Sequence, residues 1–415
     1  MRALVFEINF EGHRLHYAAR LLEGLAELRN AGVTPVLATS RQAFQSDEYR
    51  VHLKPLERLF EIDPHYALPP PSTLRHARST VASLQEAMHR LRPVYCYVPY
   101  ADGVAQVLGA ARQIGDDPLP PEVPIEGLMM RGGVFYPQPV GPKSIVRRLS
   151  WTIAMRSRWN RLHHLDPLVV TAGKRIGGHS RLLSLMPEAV EPIGEMTREA
   201  ARSLLGIPDD GGPIAGSIGM QDERKGIDRL IQAFLDADAG GKLDSQSRLL
   251  LVGRQSAGVA ALLAGPAAAM VRSGRIIAQN RYVDQDELAT VLAASDLICT
   301  PYPRHIGSAS IVVRAAHARR PVLAGDFGWC GYIVPRFGLG RVVDVLNPTS
   351  FAAALAQALH EATSYTLSPA GERFVQFHTI ENFQAAWTEG IRRRLGLPCA
   401  PGRMEWAAAL GTHHD

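Results

Sequence analysis

The sequence predicts an α/β fold built from parallel sheets, and three observations indicate it. Between 212 and 347, short apolar strand patterns alternate in regular order with amphipathic helix patterns. A strand, a loop, a helix and a second strand also open the chain within its first 38 residues. At 415 residues the chain is too long for one ordinary domain, so two or three are expected. Repeated βα units joined by short loops are typical of doubly wound parallel sheets.

The first half begins with two strand–loop–helix units. A strand is predicted over 2–8, and a helix with one apolar face over 14–30, ending at Gly32. The next strand begins at Val33. A second unit has its strand at 94–98, followed by a helix that runs to about Ile114. This order predicts a first sheet with helices between its strands.

A basic segment, 143–165, interleaves arginines with tryptophans and contains no acidic residue before Asp166. Such a segment can lie at an anionic lipid surface. The alternative is a core-packed helix with a solvated cationic face, and both interpretations stay open. The run DPLVVT at 166–171 is predicted as the last strand of this half. The glycine- and proline-rich stretch 173–194 is predicted as a linker.

From residue 213 onward the predicted elements alternate strictly. Strands are predicted at 214–218, 249–252, 275–278, 297–302 and 321–324. Helices are predicted from Ile227, from Asp284 with a capping-box acid at Glu287, after Gly307 and after Asn347. This is the pattern of a second doubly wound sheet.

Two loops of this second sheet indicate a phosphate site. Gly219–Gly226 (GMQDERKG) and Arg304–Ser310 (RHIGSAS) both fall between a strand and the next helix, where open parallel sheets bind ligands. The first supplies cations. The second places small residues and backbone amides at a helix start, which suits a phosphate. The pair therefore predicts a nucleotide-sugar or a similar phosphorylated ligand.

Composition limits the other function classes. Hydrophobic residues make up 46% of the chain and charged residues 20%, as in globular proteins with sizeable cores. Lys and Arg exceed Asp and Glu by 45 − 40 = 5, a mild excess that suits anionic ligands or a membrane surface. No nucleic-acid-binding motif accompanies it, so no nucleic-acid partner is expected. No run of 18 apolar residues is present, which favours a soluble or peripheral protein.

The four cysteines show no spacing typical of a metal site. Cys96 and Cys299 lie in apolar strand patterns and are expected to be buried thiols, which fits a reducing cytoplasm. The acidic triplet Asp236–Asp238 ends an amphipathic helix, so no metal role is expected for it. The sequence therefore predicts a cytoplasmic protein, or one associated with the inner face of a membrane, without metal or cofactor.

The order of KGIDRLIQAF, LLLVG, ELATVLAASDLICTP and RRPVLAGDFG resembles the retaining glycosyltransferases of family 4, the glycosyl transferases group 1. The resemblance covers about 213–359, and EGHRLHYAARLLEGLAELRNAGV is more loosely similar to the family's opening loop and helix. It implies the GT-B fold, in which two Rossmann-like doubly wound domains face each other across a cleft. The implied domains are an acceptor-side domain (1–190), a nucleotide-sugar-binding domain (191–370), and a helix crossing back to the first domain plus a tail (371–415).

The resemblance also implies site residues. Lys225 matches the family's diphosphate lysine, but Met220 stands where the family has an arginine, which neighbouring Arg224 could replace. Ile306 and Arg314 stand where the family has two glutamates, so the chain resembles a divergent member without them. An Arg cannot accept hydrogen bonds from a ribose, but it can bind phosphate as a bidentate fork.

The candidate residues fall into two groups, each with a structural alternative. The donor and phosphate group could equally serve as helix caps, solvent-facing residues or, for Arg314, an ion pair. It comprises Gly219, Arg224, Lys225, Arg254, Gly307, Ser308, Ser310 and Arg314. The catalytic group lies in the first half, where its members could instead pack at an interface. It comprises His13, Asp102 and Arg131, the last near the position of the family's donor-contacting histidine.

The resemblance implies a glycosyltransferase that moves a sugar from a nucleotide-diphosphate-sugar donor, with retention of stereochemistry. The acceptor is expected to be a glycan, a lipid-linked or small-molecule acceptor, or a cell-envelope glycan. The alternative is a catalytically silent GT-B scaffold that acts as a binding or regulatory subunit, which the missing glutamates favour. A dinucleotide-dependent oxidoreductase is disfavoured, because no GxGxxG follows the first strand.

Overall fold

A computed structural model of the chain shows two compact units, each built on its own parallel sheet. Unit 1 comprises Met1–Ala189 and His378–Met404, and unit 2 comprises Val190–Phe377 and the segment from Glu405. The resemblance placed the whole of 371–415 in one helix and tail, whereas 371–377 and the segment from Glu405 pack within unit 2. The structure describes residues 1–68, 73–130, 132, 135–136, 142–177, 182–194, 196–208 and 210–411.

The sheet of unit 1 has seven parallel strands in the order β3-β2-β1-β4-β5-β6-β7. Its order reverses between β1 and β4, which is where an open α/β sheet forms a crevice at the carboxyl ends of its strands. The strands are β1 (Arg2–Phe6), β2 (Thr34–Ser40), β3 (Glu61–Tyr66), β4 (Tyr95–Val98), β5 (Ile125–Met129), β6 (Arg161–His164) and β7 (Leu183–Leu185).

Helices of unit 1 cover this sheet with apolar faces. The predicted face of α1 is buried, and Gly32 takes a left-handed φ of 80° after the turn that follows the helix. The last helix, α17, packs on α1 and buries Trp387 completely. The helices are α1 (Arg14–Ala26), α2 (Arg41–Phe44), α3 (Asp47–His52), α4 (Thr73–Leu91), α5 (Asp102–Gln113), α6 (Pro142–Met155), α7 (Pro167–Gly177) and, after unit 2, α17 (Ile380–Arg394).

The end of the first half differs from the prediction. The run 166–171 is not a strand but the start of α7, because Pro167 suits the first position of a helix and Asp166 Oδ1 accepts a hydrogen bond from the Leu168 amide at 2.8 Å. The apolar β-branched residues that suggested a strand are buried in a helix instead. The actual edge strand, β7, lies in the stretch predicted as a linker, 173–194.

The sheet of unit 2 has six parallel strands in the order β10-β9-β8-β11-β12-β13. The five predicted strands are all present, and Cys299 is buried in one of them, as is Cys96 in unit 1. The order reverses between β8 and β11. The strands are β8 (Ile214–Ile218), β9 (Arg248–Val252), β10 (Ile276–Gln279), β11 (Leu297–Thr300), β12 (Val322–Gly325) and β13 (Gly340–Val343).

One helix of unit 2 begins with the capping box that the sequence predicts. The Asp284 carboxylate accepts from the Glu287 amide, and the Glu287 side chain accepts from the Asp284 amide, which is the predicted capping box. The helices are α8 (Arg198–Leu204), α9 (Ile227–Ala239), α10 (Ala257–Ala264), α11 (Ala268–Arg272), α12 (Gln285–Ala294), α13 (Ser310–His317), α14 (Gly328–Arg336), α15 (Pro348–Glu361), α16 (Pro369–Phe377) and α18 (Trp406–Leu410).

The basic segment 143–165 contains two elements rather than one. Helix α6 ends at Met155, and its continuation forms β6 of the sheet. Trp151 and Trp159 are buried, so the tryptophans serve the core. Three apolar side chains of α6 are exposed: Ile145 (55%), Val146 (64%) and Leu149 (59%). Across the described part of the chain, no helix is both long and apolar enough to cross a bilayer.

Candidate functional site

The two predicted loops of unit 2 lie side by side at the strand-order reversal. The first follows β8 and contains the 3-10 turn Glu223–Lys225, and the second follows β11 and leads into α13. Gly226 has φ 70°, and a Cβ there would overlap the carbonyl oxygen of Pro301, at the end of β11. A side chain at this position would therefore push the two loops apart. The close approach of the two loops explains why residue 226 is a glycine.

The loop after β8 is also fixed from its other side. Gly219 has φ 96°, and its amide donates to the Val252 carbonyl at 2.9 Å. The Gln221 amide donates to the Arg254 carbonyl at 2.8 Å, and the buried Gln221 side chain donates to the Gly219 carbonyl at 2.9 Å. Backbone and side-chain bonds thus tie the loop to the end of β9. A loop held in this way presents its cation from a defined position.

Lys225 is the cation that this framework presents. An ideal Cβ on Gly219 would lie 3.3 Å from its Nζ, so the glycine leaves the room that the ammonium group occupies. The Nζ lies 5.6 Å from the centroid of the Tyr302 ring. Burial lowers the pKa of Lys225, neighbouring Arg224 lowers it further, and Asp222 opposes the shift. A partly desolvated ammonium over an aromatic face is well suited to an anionic ligand.

Arg224 differs from Lys225 in its environment. Its side chain is 70% exposed and its Nη2 lies 3.4 Å from Asp222 Oδ2. Asp222 also caps the turn, because its Oδ1 accepts from the Lys225 amide at 2.9 Å. Arg224 therefore lies next to Lys225 in the chain, at the surface and near the Asp222 carboxylate.

The loop after β11 provides the second half of the site. Gly307 has φ 98° and open space where a Cβ would be, and α13 begins at Ser310 with no side-chain cap. The His305 ring lies 3.1 Å from the Ser308 carbonyl oxygen through Nε2, and 5.1 Å from the Tyr302 ring. The α13 amides thus begin beside a turn held by a histidine.

His305 is a site residue that the sequence did not reveal. Burial lowers its pKa, the bond to Ser308 opposes this, and Lys225 and Arg224 lower it further. The imidazole and the Lys225 ammonium both lie near the Tyr302 ring, at 5.1 Å and 5.6 Å from its centroid. A lone histidine in a loop has no spacing signal, and only its position after β11 could have suggested it.

Two of the predicted phosphate ligands contact other side chains of unit 2. Arg314 donates to Gln285 Oε1 at 3.0 Å and lies 3.4 Å from Glu191 Oε2, with its side chain 11% exposed. The ion pair is thus the role that the structure gives Arg314. Arg254 lies over the ring of Tyr282, 5.8 Å from its centroid. Its backbone carbonyl, rather than its guanidinium, contributes to the loop after β8.

His13 and Asp102, the two described residues of the predicted catalytic group, have different environments. His13 is exposed at the start of α1, with its ring tilted against Tyr17 at 6.3 Å. Asp102 is buried at the start of α5, and its Oδ2 accepts from the Met130 amide at 3.0 Å. That bond gives Asp102 a structural role between β4 and β5. Arg131 lies outside the described residues.

A cavity of about 450 Å³ lies in unit 1 at the reversal between β1 and β4. Asp102 lines it together with Glu7, Arg14 and Tyr100. Glu7 is 3% exposed, and its burial raises its pKa although Arg14 opposes the shift. Of the two described residues of the predicted catalytic group, Asp102 lines the cavity and His13 does not.

The acidic triplet Asp236–Asp238 has protein partners. Asp238 lies 2.8 Å from the Arg275 guanidinium, and Asp236 accepts from Gln232 at 2.8 Å. No group of three or more metal-ligating side chains occurs among the residues that the structure describes. Two acidic side chains of the triplet therefore bind neighbouring side chains of the protein.

Comparisons with known proteins agree with this architecture. The family profile of the glycosyl transferases group 1 matches residues 212–361. A sequence search against curated proteins gave no match. Among solved structures, sucrose-phosphate synthase from Thermosynechococcus elongatus has a TM-score of 0.70 at 17% identity, covering 95% of this chain and 99% of that one.

Two further structures show the same similarity. HepE from Anabaena, solved in complex with UDP, has a TM-score of 0.64 at 16% identity and covers 95% of this chain and 100% of its own. WaaG, a glycosyltransferase involved in lipopolysaccharide biosynthesis, has a TM-score of 0.61 at 15% identity, covering 95% and 99%. The two parallel sheets, these similarities and the matched profile show that the chain has the GT-B fold of glycosyltransferases and carries a glycosyl transferases group 1 domain in unit 2.

Proposed function

We propose that the chain transfers a sugar from a nucleotide-diphosphate-sugar donor to an acceptor hydroxyl. The observation that carries this proposal is the pairing of Lys225 with the Gly307–Ser310 helix start at the reversal between β8 and β11. A similar structure, HepE, holds UDP and UDP-glucose, which supports a uridine donor. The donor diphosphate would lie across the two loops of unit 2.

The geometry suits departure of a diphosphate. Negative charge grows on the leaving oxygen during transfer, and preorganised positive groups stabilise it without rearranging. Lys225 is preorganised by the Gly219 turn and the Tyr302 ring. The amides at the start of α13 add the positive end of a helix dipole. His305 keeps the Gly307–Ser308 turn in place through the Ser308 carbonyl.

Retention of stereochemistry and the nature of the acceptor are finer parts of the proposal. Retention is supported by the family profile over unit 2. A glycan, lipid-linked or small-molecule acceptor is supported by the unit 1 cavity, which is lined by carboxylates able to accept bonds from hydroxyl groups. Neither metal nor cofactor enters the proposed reaction, because Lys225 and the α13 amides supply the positive groups.

A second candidate function is a catalytically silent binding subunit. The observation that favours it is the state of Arg314, which stands at one of the family's glutamate positions and is bound to Glu191 and Gln285. Such an arginine cannot accept bonds from the donor as a carboxylate does. A protein of this kind would bind a nucleotide without turning it over.

Titration calorimetry with UDP, GDP, ADP and TDP, followed by assay of UDP release from UDP-sugars, tests both functions. A transferase binds at least one nucleotide diphosphate and releases it from its sugar, even with water as the acceptor. Nucleotide binding without release from any sugar donor supports the silent subunit. No binding by any of the four at millimolar concentration overturns the proposal.

Peripheral contact with the inner face of a membrane is a further part of the proposal. It rests on α6, where the exposed Ile145, Val146 and Leu149 share a helix with the exposed Arg147 and Arg148. Apolar side chains can enter the acyl boundary while arginines contact anionic headgroups. A lipid-linked acceptor would be reached most directly from such a position.

A further inference from the structure

His305, in the loop after β11, shares an aromatic neighbour with the cation of the loop after β8. Its ring centroid lies 5.1 Å from that of Tyr302, and the Lys225 ammonium lies 5.6 Å from the same Tyr302 centroid. Arg224 adds a second cation to the loop after β8. The half-buried imidazole is therefore a titratable group placed close to the positive charges of the candidate site.

The hydrogen bond of His305 determines where the ring can take up a proton. Its Nε2 lies 3.1 Å from the Ser308 carbonyl oxygen. A carbonyl only accepts, so Nε2 carries the hydrogen of the neutral ring and Nδ1 is the basic nitrogen. A proton added at Nδ1 leaves the bond to Ser308 in place and makes it charge-assisted, which strengthens it. The ring can thus change its charge without releasing the turn that precedes α13.

The free protein favours the neutral ring. Burial lowers the pKa of His305 below 6.5, the bond to Ser308 opposes this, and Lys225 and Arg224 lower it further. A bound diphosphate would bring negative charge to the same cations and reverse their effect on the ring. The titratable and charged groups near His305 or its ring neighbour Tyr302 are Lys225, Arg224 and Asp222 of the loop after β8, Cys330 of α14, and Arg304, which precedes His305 in the chain.

We propose that His305 is a positioning residue that takes up a proton when a nucleotide diphosphate binds, so that the ring is neutral in the free protein and an imidazolium in the complex. The involvement of a diphosphate rests on the proposed function. The imidazolium adds a positive charge near Lys225. It also holds the Gly307–Ser308 turn more firmly than the neutral ring does, and this turn leads into the α13 amides.

The direction of the pH dependence follows from linkage. Between the pKa of His305 in the free protein and its higher pKa in the complex, only the complex holds the proton. Kd therefore falls as the pH falls through this interval, by up to about tenfold per pH unit. Above the higher pKa the ring is neutral in both states, and below the lower pKa it is charged in both, so outside the interval this group leaves Kd constant.

Titration calorimetry of the full chain with four nucleotide-sugars tests the proposal. UDP-glucose, GDP-glucose, ADP-glucose and TDP-glucose keep the same diphosphate charge across the interval, whereas a terminal phosphate, as in UDP, titrates near about pH 6. Experiments in two buffers of different ionisation enthalpy count the protons taken up. At about pH 6 a measurable fraction of one proton should be taken up, and Kd should be about three- to tenfold lower than at about pH 8.

The outcomes separate this inference from the proposed function. Binding without proton uptake, and with the same Kd at both pH values, overturns the inference about His305 and leaves the proposed function standing. Absence of binding by all four nucleotide-sugars overturns both.

Two variants separate the proton from the hydrogen bond. His305→Gln keeps an amide donor for the Ser308 carbonyl but cannot become charged. It should bind as the wild type does at about pH 8, and lose both the proton uptake and the tighter binding at about pH 6. His305→Ala also removes the donor and should bind about fivefold more weakly even at the higher pH. His360→Gln, at an exposed position of α15, is the matched control and should behave as the wild type. A His305→Gln protein that retains the proton uptake overturns the proposal.

A measurement without ligand tests the charge arrangement itself. NMR titration of the histidine rings of the free protein gives the pKa of His305, whose signal is the one missing from His305→Gln. Lys225→Met should raise this pKa, because it removes a cation that disfavours the imidazolium. An unchanged pKa in Lys225→Met would show that the lysine does not influence the ring, and would overturn the coupling to a diphosphate bound there.

Discussion

The ammonium group of Lys225 lies over the ring of Tyr302, 5.6 Å from its centroid. This contact joins two loops that follow neighbouring strands. Lys225 belongs to the loop after β8, and Tyr302 to the loop after β11. Tyr302 is 8% exposed, and its edge contact with the His305 ring brings the two ring centroids to 5.1 Å. The aromatic ring therefore links the cation of one loop to the helix-start turn of the other.

Lys225→Met should weaken UDP binding, because it removes the partly buried cation while keeping the length of the side chain. A hydrogen bond to a charged group contributes about 1.5–3 kcal/mol, which corresponds to about 10- to 100-fold in Kd. Titration calorimetry measures the change. Lys242→Met is the matched control, since Lys242 is exposed after the far end of α9 and should leave Kd unchanged. Equal Kd values for the wild type and Lys225→Met would remove the lysine from the site.

Gly390→Ala should destabilise unit 1, although alanine is usually the better helix residue by about 1 kcal/mol. Gly390 lies inside α17, where a Cβ would overlap the Tyr95 hydroxyl and the Glu126 carboxylate. These two groups hydrogen-bond each other at 2.6 Å and are buried, so they cannot move apart freely. We expect a loss of about 1–3 kcal/mol, as for other overpacked cores, measured by urea unfolding.

The matched control for this prediction is Arg394→Ala, at an exposed position of the same helix, with an expected change within about 0.5 kcal/mol. In a Tyr95→Phe background, Gly390→Ala should be less damaging, because one of the two overlapping groups is gone. A stabilising effect of Gly390→Ala would show that α17 does not pack so closely on β4 and β5.

Buried parallel strands were the part of the fold most readily predicted. Leu249–Val252 and Leu297–Tyr302 each include a strand buried on both faces, and such strands form continuous apolar runs. The same rule failed at 166–171, where an equally apolar run begins α7. It also missed β13, whose residues are mostly half-buried and lack a clear pattern. Periodicity alone does not separate a short buried strand from a buried helix turn.

The candidate site was predictable where its residues are close in sequence, and not where they meet through the fold. Lys225 and the Gly307–Ser310 turn follow strand patterns directly, so their loops could be located. The contact of Arg314 with Glu191 spans 123 residues, and that of Arg14 with Tyr100 joins the start of α1 to the loop after β4. Partners of this kind depend on side-chain direction after packing, which no spacing encodes.

His164→Asn should reduce the loss of stability in acid. Burial of His164 lowers its pKa from 6.5 to about 3, so between these pH values the unfolded chain binds a proton that the folded chain excludes. Stability is then fully present above pH 6.5 and falls as the pH falls, by about 1.4 kcal/mol per pH unit from this group. Asparagine keeps an acceptor for the Asp166 amide, which bonds His164 Nδ1 at 3.0 Å.

Urea unfolding of unit 1 across this pH interval measures the difference in slope between wild type and variant. Buried His163 also has a lowered pKa and shifts stability in the same direction, whereas Glu7 and Asp166, with raised pKa values, oppose it. Only the difference between the two proteins is therefore assigned to His164. His89→Asn, at an exposed position of α4, should leave the slope as in the wild type. Identical slopes for wild type and His164→Asn would contradict the prediction.

Val146→Glu should weaken binding to vesicles of mixed anionic and neutral phospholipid, because it places a carboxylate among the exposed apolar residues of α6. Val146 is 64% exposed and lies next to Arg147 and Arg148, so the new charge both prevents insertion and offsets the arginines. Cosedimentation should show a loss of about tenfold or more in the partition coefficient, since both effects act together. Val51→Glu, at a position 67% exposed on α3, is the matched control and should bind as the wild type does. Binding that survives Val146→Glu, or that is lost equally in Val51→Glu, would mean that α6 is an ordinary solvated helix.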